Sequence, residues 1–402
     1  MNKKKYLICG FIGGNNTGDE IILQNIIKTI KKTEDNDCEF IITSFKPKET
    51  NFFTNEKSIY WDGISKKFIF GQKEIFNIIK EVDKVIIGGG GLLQDVHSVR
   101  TIPRYLSIAL IAQFFNKPVF YLSLGIGPIE NNALKHLTKL ISNDLQFISV
   151  RDKYSLEYLR ELGVTENNIN ITSDPAVMSS EFFKNTNDKS NNLDIKIGIS
   201  IREFNFSENN LKSLANFINN IMSRKKEKYK FVLFPMNKKS DLEINKKLKS
   251  LINHKNNVVI YSDYKHPKDI INKISEMDIM ISMRLHGLIV SASFGIPSIG
   301  LIYDKKITNF LSQINMEDYL IDLNNFNDSF ILEKKFNELL NNYNDSTKKI
   351  KFNIKDCKKE FSSTIEEIVS FKTGESCSTT NQIKNIYKAL IMLLPLILNK
   401  IK

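Results

Sequence analysis

The chain has 402 residues, enough for two domains with cores of their own, and an apolar content typical of globular proteins. Its net charge of +12 favours anionic partners such as phosphorylated ligands or anionic lipid, or reflects a chain rich in Lys, Asn and Ile throughout. The four cysteines are scattered without a CxxC pair, which argues against zinc and dithiol redox sites, and no aromatic-plus-basic pattern suggests nucleic-acid reading.

The apolar run at 6–12 ends in glycines. It lacks the length and the cleavage site of a signal peptide, so it reads as a first buried strand of a cytoplasmic protein with reduced thiols. Further strands are expected at 39–43, 84–87, 118–122, 147–150 and 170–171. Amphipathic helices are expected at 19–32, 74–80, 103–115, 133–142 and 153–162. The run VIIGGGG suits a strand buried on both faces of a parallel sheet. A polar stretch at 185–192 reads as an interdomain linker.

The alternation then resumes. Strands are expected at 196–201, 230–234, 258–261, 279–282 and 298–301, and helices at 209–226, 241–251, 267–277, 288–294 and 307–314. From about residue 324 the chain is charged and helical, with an amphipathic helix at 348–368 and a polar linker at 373–381. Residues 389–398 (ALIMLLPLIL), flanked by Lys384, Lys388, Lys400 and Lys402, are too short to span a bilayer. They read either as a final packed helix bent at Pro395 or as an interfacial segment beside anionic lipid. The expected fold is α/β: two Rossmann-like doubly wound domains facing a cleft (GT-B-like), at 1–184 and 193–323, with a helical C-terminal extension at 324–402.

Five segments carry candidate chemistry. Gly13-Gly14-Asn15-Asn16-Thr17-Gly18-Asp19-Glu20 joins a strand to a helix, where close backbone approach and free N–H groups suit a ligand through Gly14, Asn16 and Thr17. Asp19 there is a helix cap or a base facing a sugar hydroxyl. Gly88-Gly89-Gly90-Gly91 follows a further core strand and reads as backbone meeting a ligand or the other domain, or as a loop that tolerates glycine. Its cost in chain entropy is easiest to explain where backbone meets a ligand, with Gln94 and Asp95 available to an acceptor. Arg151 of Ser149-Val150-Arg151-Asp152 offers a planar fork to a carboxylate or phosphate, or pairs with Asp152.

The strongest segment is Ile281-Ser282-Met283-Arg284-Leu285-His286-Gly287. It places a guanidinium and an imidazole two residues apart where a buried strand turns into a helix. A bound anion beside them would favour the imidazolium, which suits a proton donor. Tyr303-Asp304-Lys305-Lys306 brings a further basic group to the same sheet edge. His97, His136, His254 and His266 are less informative, and no cluster has metal-ligand spacing.

Taken in order, GGNNTGDE, GGGGLLQD, SLGIGP, SVRD, SDPAV, MRLHGL and YDKK resemble the polysaccharide pyruvyl transferases. The chain is most similar to the branch acting on secondary cell-wall polysaccharide for S-layer anchoring, over residues 5–320. The resemblance implies phosphoenolpyruvate as donor substrate, no tightly bound cofactor, and a sugar acceptor, often lipid-linked at the inner membrane face. It matches Arg284, Leu285 and His286 to the donor motif, Arg151 to a family arginine, and Lys306 to the lysine of a tyrosine-aspartate-proline-lysine segment in which Lys305 replaces the proline. In the mechanism expected from it, Arg151, Arg284 and Lys306 hold the donor, His286 protonates the enol carbon or stabilises the departing phosphate, and Asp19 or Asp95 is the base. The rivals are a nucleotide-sugar glycosyltransferase of the same fold, which would release a nucleotide, and a non-catalytic membrane-associated scaffold.

Overall fold

The computed structural model describes residues 3–63, 73–96, 98–165, 169–183, 194–224 and 229–372. His97, the expected linkers at 185–192 and 373–381 and the segment 389–398 lie outside them. The chain divides into two compact units. Of the described residues, those within 3–14, 22–175 and 360–372 form one, and those within 15–21 and 176–359 form the other.

The first unit is built on parallel strands β1 (Lys4–Cys9), β2 (Cys38–Ser44), β3 (Lys57–Tyr60), β4 (Lys84–Leu93), β5 (Val119–Ile126), β6 (Phe147–Val150) and β7 (Ile169–Ile171). Their order is β3-β2-β1-β4-β5-β6-β7. The second holds β8 (Ile195–Ser200), β9 (Tyr229–Leu233), β10 (Val258–Ile260), β11 (Ile279–Ser282), β12 (Ser298–Ile302) and β13 (Leu320–Asp322). Here the order is β10-β9-β8-β11-β12-β13. Both sheets are doubly wound, as expected from the βα alternation. Each reverses direction next to its first strand, between β1 and β4 and between β8 and β11. Ligands of such sheets bind outside the carboxyl ends at that reversal.

Apolar strands form the centres because helices cover both faces: all eight residues of β5 are buried. The structure adds elements beyond the expected ones, among them β3, β13 and the helix Pro47–Thr54. The two strands are short edge strands, and KSIY and LID carry too little apolar periodicity to stand out.

The tetraglycine is not the loop that its composition suggests. Gly88–Gly91 lies inside β4 and pairs with β5, Gly88 opposite Leu122 and Gly91 opposite Gly125. Packing explains Gly89. Its φ is +74°, and a Cβ there would lie 2.0 Å from Ile22 Cγ2 of the first helix. That helix can seat on β4 only where a side chain is missing.

The long helix Tyr343–Ser370 passes from the second unit into the first at Glu360. Its last turns bury Phe361, Ile365 and Ile368, and Thr364 Oγ1 donates to Thr172 Oγ1 at 3.0 Å. Lys84, which opens β4 and is 3% exposed, donates to the carbonyls of Ile368 and Val369 at 2.8 and 2.6 Å. It thereby caps the helix end.

Burial pulls the Lys84 ammonium down from 10.5 to about 8, with Lys4 adding to the shift and Glu34 and Asp83 opposing it. A neutral amine keeps two donors, so both hydrogen bonds survive deprotonation. The unfolded chain holds this proton up to about pH 10.5. Lys84 therefore makes stability rise with pH between the two values, by at most about 1.4 kcal/mol per pH unit. Denaturant unfolding of wild type and Lys84→Met across this window should show that slope in the wild type and its loss in the variant. Among the described residues, no helix is long and apolar enough to cross a membrane.

Candidate active site

In the second unit, the carboxyl ends of β8, β11 and β12 lie side by side in register, with Ser200 opposite Ser282 and Ser282 opposite Gly300. The turn after β11 is closed by Ser282, whose hydroxyl accepts from Arg284 N at 3.0 Å and donates to Arg284 O at 2.7 Å. Arg284 then sits at the N-cap of the helix Leu285–Ser293, which places His286 in its first turn, while Leu285 turns into the core. The N-terminal peptide dipole of that helix favours an anion at this point.

Arg284 is held by a partner that is not apparent from the sequence. Its guanidinium forks onto the fully buried carboxylate of Asp241, with Nε to Oδ2 at 3.0 Å and Nη2 to Oδ1 as the second arm. Asp241 Oδ2 also accepts from Asn237 N at 2.9 Å, and Oδ1 from the Ser240 hydroxyl at 3.0 Å. The bidentate edge of Arg284, expected to take a donor carboxylate or phosphate, is therefore occupied. The rest of the guanidinium remains for a ligand.

The segment Asn15–Ile21 belongs to the same unit. Thr17 N donates to Met236 O at 2.9 Å, and Asn16 bridges to Asn237. The Tyr264 hydroxyl donates to Pro235 O at 2.9 Å, so at 2.8 Å it accepts from the Thr17 hydroxyl. Burial pushes the Tyr264 phenol up to about 12 against the opposing pull of Thr17 and Arg284. It stays a neutral donor. Asp19, 7% exposed, accepts from Asn16 Nδ2 at 2.6 Å. It sits in the first turn of the helix Thr17–Thr33 rather than capping it.

This turn sets the imidazole. A Cβ on Gly18 would lie 2.0 Å from His286 Nδ1 and 2.5 Å from Cγ. The ring is thus seated on the Gly18 backbone, which accounts for a glycine inside a helix. Gly18→Ala must displace the ring by an ångström or more, and such a misplacement costs on the order of 10²-fold in rate. A fall of this size in kcat with an unchanged melting temperature is the expected result.

After β12, Asp304 caps the helix Lys305–Gln313 by accepting from Lys306 N at 3.0 Å. Lys306 Nζ pairs with Asp304 Oδ2 at 3.2 Å and lies 5.1 Å from the Tyr303 ring centroid. Cap and charge pair form although Lys305 stands where the motif has proline.

The remaining expected residues fall in the first unit. Arg151 lies just past β6, and a Cβ on Gly125 would come within 2.7 Å of its Nη2, so the guanidinium rests on the backbone at the end of β5. Its carboxylate neighbours are Asp152 at 3.4 Å and Asp174 at 3.9 Å. Gly91 is 3.8 Å from the same guanidinium by this measure. Gly90 has a φ of +91°, and Gly14 packs under the Phe11 ring. Gln94 is half-buried past the end of β4.

Asp95 does not have the environment of a base. Its two oxygens accept from Glu130 N and Asn131 N at 2.8 and 2.9 Å, which pins the loop after β5. A carboxylate with both oxygens committed to backbone donors is holding structure in place. Among the described residues, no cluster of His, Cys, Asp or Glu could hold a metal ion.

The sequence profile described as polysaccharide pyruvyl transferase matches residues 16–305, which include the Asn16–Asp19 turn, Arg151, the Arg284–His286 segment and the start of the Lys305–Gln313 helix. The amylovoran biosynthesis protein AmsJ of Erwinia amylovora is 20% identical over 292 residues, 66% of this chain and 67% of that protein. Among solved structures, a glycosyltransferase from Rickettsia africae superposes with a TM-score of 0.60 at 16% identity, covering 98% of this chain and 99% of the other. A putative UDP-N-acetylglucosamine 2-epimerase from Listeria monocytogenes gives 0.58 at 13% identity over 87% and 91%. These two likenesses show the fold, that of GT-B glycosyltransferases and epimerases with a helical C-terminal region.

Proposed function

The chain belongs to the polysaccharide pyruvyl transferase family, and from that premise we propose that it moves a pyruvyl group from phosphoenolpyruvate onto two hydroxyls of a cell-envelope sugar. The observation that carries this reading is an imidazole seated on the Gly18 backbone beside a guanidinium held by Asp241. We read the pair as an acid–base group next to an anion site at the carboxyl edge of a doubly wound sheet.

In the proposed reaction, Arg284 and Lys306 bind the anionic donor and stabilise charge on it, the effect that usually dominates at such sites. His286 delivers a proton to the methylene carbon of the enol. C2 becomes oxocarbenium-like, and one sugar oxygen bonds to it as Asp19 takes that hydroxyl's proton. The C2–O bond to phosphate then breaks, and the second sugar oxygen closes the ketal. Two hydroxyl protons leave the sugar. One is balanced by the new methyl C–H and the other departs with inorganic phosphate.

Arg151 is the anion-binding candidate of the first unit. The proposed acceptor is a lipid-linked sugar of the N-acetylmannosamine type, as in the branch that serves S-layer anchoring. Residues 389–398 are proposed to give peripheral contact with the inner membrane face.

The test is incubation with phosphoenolpyruvate and a panel of lipid-linked sugars, read as a mass gain of one pyruvyl ketal with equimolar phosphate. Release of a nucleotide from nucleotide sugars, without any phosphoenolpyruvate-dependent product, would favour the glycosyltransferase reading that the fold also permits. The panel separates acceptors, since the relative AmsJ is named for a different polysaccharide.

A further inference from the structure

Arg202 lies two residues beyond Ser200, the last residue of β8, as Arg284 lies two beyond Ser282 of β11, and the two serines are paired in the sheet. Tyr303 follows the end of β12, the next strand. The sheet register thus brings Arg202, Arg284 and Tyr303 to three adjacent strand ends, beside the point where the strand order reverses.

The Arg202 guanidinium is 5.0 Å from the centroids of both Phe204 and Tyr303. Its Nη1 donates to the Tyr303 hydroxyl at 3.3 Å. Stacking on aromatic faces fixes the plane of a guanidinium without neutralising it. The nearby acids are engaged elsewhere, Glu203 with Lys247 at 3.6 Å and Asp304 with Lys306 at 3.2 Å. Among the described residues Arg202 has no carboxylate partner, and its Nε is buried without a hydrogen-bond acceptor. A buried guanidinium N–H left unpaired is costly. Arg202 as a whole is half-buried, and a cation fixed there without a carboxylate is accounted for if an anionic ligand supplies the counter-charge.

We infer that Arg202 binds the phosphorylated donor directly, through its phosphate or carboxylate, and that Phe204 and Tyr303 orient it for that purpose. This rests on the donor reading above. Arg284 is already forked by Asp241, so Arg202 supplies the guanidinium N–H groups that Arg284 cannot.

Arg202→Met and Arg202→Lys test the assignment in the full-length protein. Phosphoenolpyruvate is titrated by calorimetry, and KM is measured separately for donor and acceptor. Loss of charge-assisted hydrogen bonds should weaken donor binding by about 10- to 100-fold in Arg202→Met. Arg202→Lys should recover part of it, with the acceptor KM and the unfolding midpoint unchanged. Unaltered donor affinity in Arg202→Met, or an effect on the acceptor KM alone, overturns the assignment while the donor reading stands. A wild-type protein that binds no phosphoenolpyruvate overturns both.

Discussion

Replacing His286 by alanine should reduce pyruvyl transfer by about 10²- to 10⁴-fold, the range supplied by a positioned proton donor. The imidazole is placed where an anionic ligand would bind. It lies in the first turn of a helix whose dipole draws an anion, and its ring is held against the Gly18 backbone. A phosphorylated ligand bound there would stand next to the proton donor that the reaction uses.

The measurement is turnover under saturating phosphoenolpyruvate, with denaturant unfolding in parallel. His286 is half-buried and on the edge of the core, so the unfolding midpoint should move little. His286→Asn keeps a polar planar side chain without a transferable proton and should be as inactive as alanine. Turnover within about threefold of wild type in either variant would remove His286 from the acid role.

Much of this fold is legible from apolar periodicity alone, and the reasons can be given strand by strand. β6 and β11 match their expected limits because each is a short apolar run between clear turn residues. Periodicity gives β4 only four residues, although the strand continues through the glycines to Leu93. Glycine has no side chain to report burial, and the partners that explain Gly88 and Gly89, namely Leu122 and Ile22, lie far away in the sequence.

The site is legible to the same degree. Arg284 and His286 sit on a strand-to-helix turn and can be found locally. Arg202 carries the same signal, a cation just past an apolar strand, but without a neighbouring imidazole to single it out. Tyr264 is hidden, because its role depends on Thr17 reaching it from the other end of the chain. Asp241 leaves no trace: it follows Lys238, Lys239 and Ser240 and precedes Glu243, the pattern of a solvated helix face.

Asp241 carries the second large expectation. Its carboxylate is fully buried, and the Arg284 side chain is 15% exposed. Asp241→Ala would leave the guanidinium without its counter-charge, along with the donors of Asn237 and Ser240. Breaking a buried pair on one side typically costs about 3–5 kcal/mol. Chemical denaturation should show a loss of this size, and a loss below about 1 kcal/mol would mean that the pair is not buried as described.

Stability and activity should then part company in a double variant. Replacing both partners by apolar residues, Asp241→Leu with Arg284→Met, removes the stranded charge and should recover most of the lost stability. It should recover none of the pyruvyl transfer, because the guanidinium is also the cation beside His286. If the apolar pair restored both, Arg284 would be a structural strut. If it restored only stability, Asp241 is the residue that aims a substrate-binding arginine, and the turn after β11 is an anion site whose geometry is set from the helix Lys238–Ser250.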